Sequence, residues 1–131
     1  MHENIVERRS APRFAVALEG QALTGDGHRS AVNITNISAS GLQFTVAQVE
    51  MPWLLPNISE ENAMTPVSIE LTIELGKEKK VVKVQCGIVY VQRKSMNTCI
   101  IGCRFEKFFE DGQERLEHYI SDTGCQLLPQ E

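Results

Sequence analysis

From Val67 to Leu75 the chain reads Val-Ser-Ile-Glu-Leu-Thr-Ile-Glu-Leu, five apolar residues alternating with four polar ones. A period of two puts every apolar side chain on one face of an extended strand, so this segment is stable only half-buried in a sheet. Gly76-Lys77-Glu78-Lys79 follows as a polar turn. Val82, Val84, Cys86, Ile88 and Tyr90 then share one face, with Lys83 and Gln85 pointing away. The pattern predicts a long antiparallel hairpin, with Tyr90 on the core side.

Weaker alternation recurs at Phe14, Val16 and Leu18, at Val32 and Ile34, at Leu42, Phe44 and Val46, and at Cys99, Ile101, Cys103 and Phe105. The stretch from Ala47 to Pro66 has three prolines and no period, which predicts an irregular excursion. Within it, Trp53, Leu54 and Leu55 read as a flap packed on the core rather than a binding site. Leu116, Tyr119 and Ile120 lie three and four residues apart, behind Asp111 as a capping acid and ahead of Gly124 as a terminator. Five or six short strands and one helix in 131 residues describe one mainly β domain, a small antiparallel β-barrel with a C-terminal α-helix.

Charge narrows the function. Thirteen Lys and Arg against seventeen Asp and Glu leave a net charge of −4 and a pI near 5.4. A general nucleic-acid binder needs a basic face to displace counterions from phosphates, so nucleic acid is an unsuitable partner. No apolar run reaches membrane-spanning length and no secretory signal opens the chain, so the expected location is the cytoplasm without membrane insertion. Four scattered cysteines in apolar surroundings fit that compartment and do not form a disulfide framework.

The cations are unevenly placed. Arg8, Arg9 and Arg13 fall within six residues, so residues 8–13 carry +3 on a chain that is otherwise −7. Pro12 keeps Ala11 out of the helical region, so these arginines can fan around a ligand. Arginine binds phosphate through a planar fork, pairs with the O6/N7 edge of guanine and stacks on bases. By itself the cluster also reads as a solvated charged tail. Asn36-Ile37-Ser38-Ala39-Ser40-Gly41 is a second candidate element. On a strand, Asn36 and Ser38 project from one face and Ile37 from the other, and Gly41 permits close backbone approach. Alone, it is an ordinary turn before a strand.

Taken together, Arg9-x-x-x-Arg13 followed by Asn36-x-Ser38-x-x-Gly41 resembles the PilZ domain family, with its RxxxR and [D/N]xSxxG motifs. Ile101-Gly102-Cys103-Arg104-Phe105 is similar to that family's closing strand, and the resemblance covers roughly residues 7 to 121. It implies a six-stranded β-barrel over 14–106, a flexible ligand-wrapping segment over 1–13 and a C-terminal helix over 109–122. It also implies a bacterial receptor for cyclic di-GMP that changes conformation and signals to a downstream protein. Arg9 and Arg13 would grip phosphate and the guanine Hoogsteen edge. Asn36 would accept from the guanine N1/N2 edge, with Ser38 and the backbone near Gly41 completing the contact. Arg8, immediately before RxxxR, favours a stacked pair of ligands. Asn36 departs from the more frequent Asp, and an amide accepts more weakly than a carboxylate.

Other chemistry lacks support. His2, His28 and His118 are far apart, and Cys99 and Cys103 on one strand would lie about 13 Å apart, too far for one zinc. No phosphate-cradling GxxxxGK[ST] loop occurs. The expectation is a non-enzymatic chain with no catalytic residue, metal or cofactor. The alternative within the same resemblance is a protein–protein adaptor that does not depend on the nucleotide.

Overall fold

The computed structural model describes residues 12–55, 67–76, 80–123 and 125–129. Arg8 and Arg9 of the cluster therefore lie outside the described residues, as do the 77–79 turn and Gly124. Six antiparallel strands carry the fold: β1 (Arg13–Leu23), β2 (Arg29–Ser38), β3 (Gly41–Ala47), β4 (Ser68–Leu75), β5 (Lys80–Arg93) and β6 (Thr98–Phe108). They run in the order β2-β3-β6-β5-β4-β1, and pairing of β1 with β2 closes the barrel. A 3-10 turn (Gln48–Glu50) and a one-turn helix α1 (Met51–Leu54) follow β3, in place of wholly irregular chain. Helix α2 (Gly112–Thr123) packs against β5, and a two-residue strand β7 (Gln126–Leu127) returns to the start of β1.

Alternation fills the barrel as its period requires. Ile69, Leu71, Ile73 and Leu75 of β4 meet Val82, Val84 and Cys86 of β5, and all are buried. From the other side come Ile34, Ile37, Phe44 and Ile101, each with no exposed surface. Leu116 of α2 closes one end of this core. The thiol of Cys86 is pushed above the ordinary cysteine range by its hydrogen bond with Cys103 and by desolvation. Cys86, Cys99 and Cys103 are thus buried apolar groups.

Two expectations need correction. Tyr90 does not face the core: Ile88 pairs with Cys103 but Tyr90 pairs with the next residue, Gly102. Val89 is therefore an extra residue, and this bulge reverses the phase of everything beyond it. Tyr90 turns outward and Val91 inward. The flap is also divided, because Leu54 and Leu55 are buried while Trp53 is about half exposed.

Candidate functional site

Bulges also aim the side chains that the motifs single out. Ile34 pairs with Phe44, yet Asn36 pairs with the next residue back, Gln43, so Thr35 is an extra residue in β2. Without it, Asn36 would share the core face of Ile34. With it, Asn36 and Ser38 turn to the outer face and Ile37 enters the core. A matching irregularity in β1 lies between Ala15 and Leu18, which keeps Arg13 opposite Ser38 and Ala15 opposite Asn36. The Arg13 guanidinium then donates to the Asn36 side-chain oxygen at 2.9 Å, across twenty-three residues of sequence. Asn36 is 9% exposed, so that oxygen is held in a largely covered position. A carbonyl oxygen has two lone pairs, which leaves capacity for one further donor.

Ser38 and Gly41 build the turn beside this pair. The Ser38 hydroxyl accepts from the Ser40 amide and donates to the Gly41 carbonyl, both at 3.3 Å, spanning the two-residue turn Ala39-Ser40. The Ser40 carbonyl accepts from the Phe105 amide at 2.8 Å, tying the turn to β6. Gly41 is required by close approach: a Cβ there would lie 2.1 Å from the Cys103 carbonyl oxygen.

Strand register extends the surface sideways. Ala15, Asn36, Gln43, Gly102 and Tyr90 form one continuous row across β1, β2, β3, β6 and β5. Tyr90 donates to the Gln43 side chain at 2.8 Å, and its ring lies over Gly102, where any Cβ would overlap it. The Arg104 side chain, two residues beyond Gly102 on the same face, is exposed and makes no hydrogen bond or ion pair among the described residues. Below the turn, a cleft of about 180 Å³ opens between Phe14, Phe105 and Phe108 of the barrel and Leu116 and Ile120 of α2. The surface thus offers two cations, a half-satisfied amide, an aromatic ring and an apolar cleft. Such a set suits an anionic ligand that also has planar, hydrogen-bonding bases.

Sequence reading missed Gln43, Tyr90 and Arg104. In the sequence Arg104 stands out only as part of a closing strand, and the Tyr90 signal is hidden by the bulge at Val89. Among the described residues no group of three His, Cys, Asp or Glu side chains could hold a metal ion. No described helix is long and apolar enough to cross a membrane.

The profile of the PilZ domain family matches residues 7–122, nearly the whole chain. The chain belongs to the PilZ domain family. No curated protein sequence matches it. Among solved structures, the PilZ domain of Escherichia coli YcgR with c-di-GMP superposes with a TM-score of 0.63 at 13% identity, covering 88% of this chain and 90% of that one. The K. pneumonia MrkH–c-di-GMP complex gives 0.66 at 18% identity over 88% of this chain and 52% of that one. The Bacillus subtilis inhibitor of motility MotI/DgrA gives 0.60 at 18%, over 88% and 51%. This PilZ chain therefore spans about half the length of MotI and MrkH. At such identities the likeness is one of fold, a six-stranded barrel with a C-terminal helix.

Proposed function

We propose that this PilZ domain is a cytoplasmic, non-enzymatic receptor for cyclic di-GMP that passes the signal to a partner protein. The observation that carries the reading is the pairing of Arg13 with Asn36 on the outer face, beside the Ser38–Gly41 turn. Those residues come from the two motifs, separated in sequence and joined by register. Two solved neighbours that share this fold, the YcgR PilZ domain and MrkH, are complexes with c-di-GMP.

On this reading Arg9 and Arg13 bind phosphate and the guanine Hoogsteen edge, and Asn36 accepts from the guanine N–H edge. The Ser38 turn presents backbone at Gly41. The segment 1–13 closes over the ligand, since three close arginines repel one another until an anion neutralises them. Arg8 supplies charge for a second, stacked ligand.

Isothermal calorimetry with the dinucleotide tests this. Binding at micromolar ligand or tighter is expected, with two ligands per chain. Arg9→Ala and Arg13→Ala should each weaken it about tenfold or more, the worth of a charge-assisted hydrogen bond. No heat at micromolar ligand, or unchanged affinity in both variants, overturns the reading.

A further inference from the structure

Glu106 lies on β6 two residues beyond Arg104, and neither motif includes it. Gln85 pairs with Lys107 and Cys86 with Phe105, so Glu106 is an extra residue in its strand, and such a bulge re-aims a side chain. Its carboxylate is fixed from two other strands: Oε1 accepts from the Ser68 hydroxyl at 2.8 Å and from the Gln85 side-chain amide at 3.1 Å. Oε2 makes no hydrogen bond among the described residues. It stands over Gly87, 2.5 Å from where a Cβ would be, and the Arg104 Nε comes within 3.6 Å of the same point. Glycine thus leaves an open floor between a held carboxylate oxygen and an arginine, and the two side chains form no ion pair with each other.

The chemistry of that spot suits a base better than a phosphate. Arg104 and Glu106 sum to zero charge, and the next row, Glu70–Gln85–Lys107, adds one further charge of each sign. What remains is directional: a donor fork beside a fixed acceptor. Guanine presents the complement on one edge, the O6 acceptor next to the N1–H and N2–H donors. Adenine presents the reverse order there, setting its N6–H donor against Arg104 and its N1 acceptor against Glu106. The Tyr90 ring, lying over Gly102 two residues from Arg104, supplies a face on which a base can stack. Gly41, which ends the Ser38 turn, pairs with Arg104, so the two sites are one strand spacing apart, about 4.8 Å.

We propose that Arg104 and Glu106 read the edge of a second guanine of the dinucleotide, Arg104 donating to O6 and Glu106 Oε2 accepting from N1–H and N2–H. The inference rests on the nucleotide reading above, in which Asn36 takes the other guanine. It adds base selectivity from residues outside both motifs.

Calorimetry with cyclic di-GMP and with the hybrid cyclic GMP–AMP tests it, since the hybrid has a guanine for Asn36 and only adenine for this pair. The parent should bind cyclic di-GMP about tenfold more tightly than the hybrid, the worth of a hydrogen bond to a charged group. Arg104→Ala and Glu106→Ala should each weaken cyclic di-GMP about tenfold and leave the hybrid within about threefold. Thermal unfolding should stay nearly unchanged in both, since both side chains are exposed. Equal binding of the two nucleotides by the parent, or equal losses of both in these variants, overturns the proposal. Arg13→Ala separates the two readings, because it should weaken both nucleotides alike. Cyclic di-GMP binding lost in the Arg104 and Glu106 variants but kept in Arg13→Ala overturns the Arg13–Asn36 reading and leaves this pair as the guanine site. A parent that binds neither nucleotide overturns both.

Discussion

The two ends of the barrel handle polar and apolar groups in opposite ways. Around Arg13, small polar residues are turned out of the core by bulges, and the exposed Arg104 has no partner among the described residues. Around Trp53, the acids and His28 satisfy one another, and apolar rings and chains are left in solvent. A barrel whose core is already complete can present a polar, cationic surface at one end and an apolar one at the other without changing its strands. The neighbours MotI, described as an inhibitor of motility, and MrkH, described as a transcription regulatory factor, share the barrel and differ in output.

The sharpest contrast between the ends lies in their glycines. Gly41→Ala would place a Cβ 2.1 Å from the Cys103 carbonyl and 3.0 Å from the Arg104 Cα, both backbone atoms. It should cost about 3 kcal/mol in urea unfolding, the upper part of the overpacking range. Gly25→Ala in the far-end turn meets nothing within 4 Å and has no positive φ. Its stability should stay within about 0.5 kcal/mol of the parent, as for other unencumbered surface changes. Equal effects at the two positions would show that the two ends do not differ in how closely their backbones pack.

Asn36→Asp is the intermediate test. A charged acceptor makes hydrogen bonds worth about 1 kcal/mol more than a neutral one, so dinucleotide affinity should rise about fivefold. Arg13 stands 2.9 Å away to hold the new charge. Calorimetry showing unchanged or weaker binding would remove Asn36 as an acceptor from ligand.

The smallest effect belongs to the far end. The Glu50 carboxyl is held below its ordinary range by the hydrogen bond from Ser30 first and by His28 second. A depressed carboxylate contributes stability above its unfolded value and loses it as pH falls through the lowered one. The group is only part-buried at the surface, so solvent screens it and the change is local and slight. Trp53 emission should therefore show a step below the usual glutamate range, and Glu50→Gln should abolish that step while leaving dinucleotide binding unchanged.

Much of this was legible in the chain because half-buried strands advertise themselves. The β4–β5 hairpin follows from unbroken alternation at Val67–Leu75, and the opposite facing of Ile37 from Asn36 and Ser38 follows from the same period. What the chain alone hides is the register between partners. Thr35 and Val89 are recognisable as extra residues only when their facing strands are counted. Each reverses the phase of the strand beyond it, sending Asn36 outward with Ser38 and moving Tyr90 from the expected core to the row with Gln43. Trp53 reads as core by composition, yet it stays about half exposed, with His28 from a distant turn stacked on its ring. The return of β7 to β1, where the Leu128 amide donates to the Arg13 carbonyl at 2.8 Å, spans too few residues to show any period.

On the proposed reading, the Arg13–Asn36 end takes the nucleotide and the Trp53 end does not. An amide shift map recorded during titration with cyclic di-GMP tests it most directly. The largest shifts are expected at Arg13, Asn36 and Ser38–Gly41, extending to Gln43 and Gly102–Arg104, with Val49–Trp53 and Lys94–Asn97 nearly unmoved. Shifts that avoid Arg13 and residues 36–41, or that centre on the far end, would contradict it.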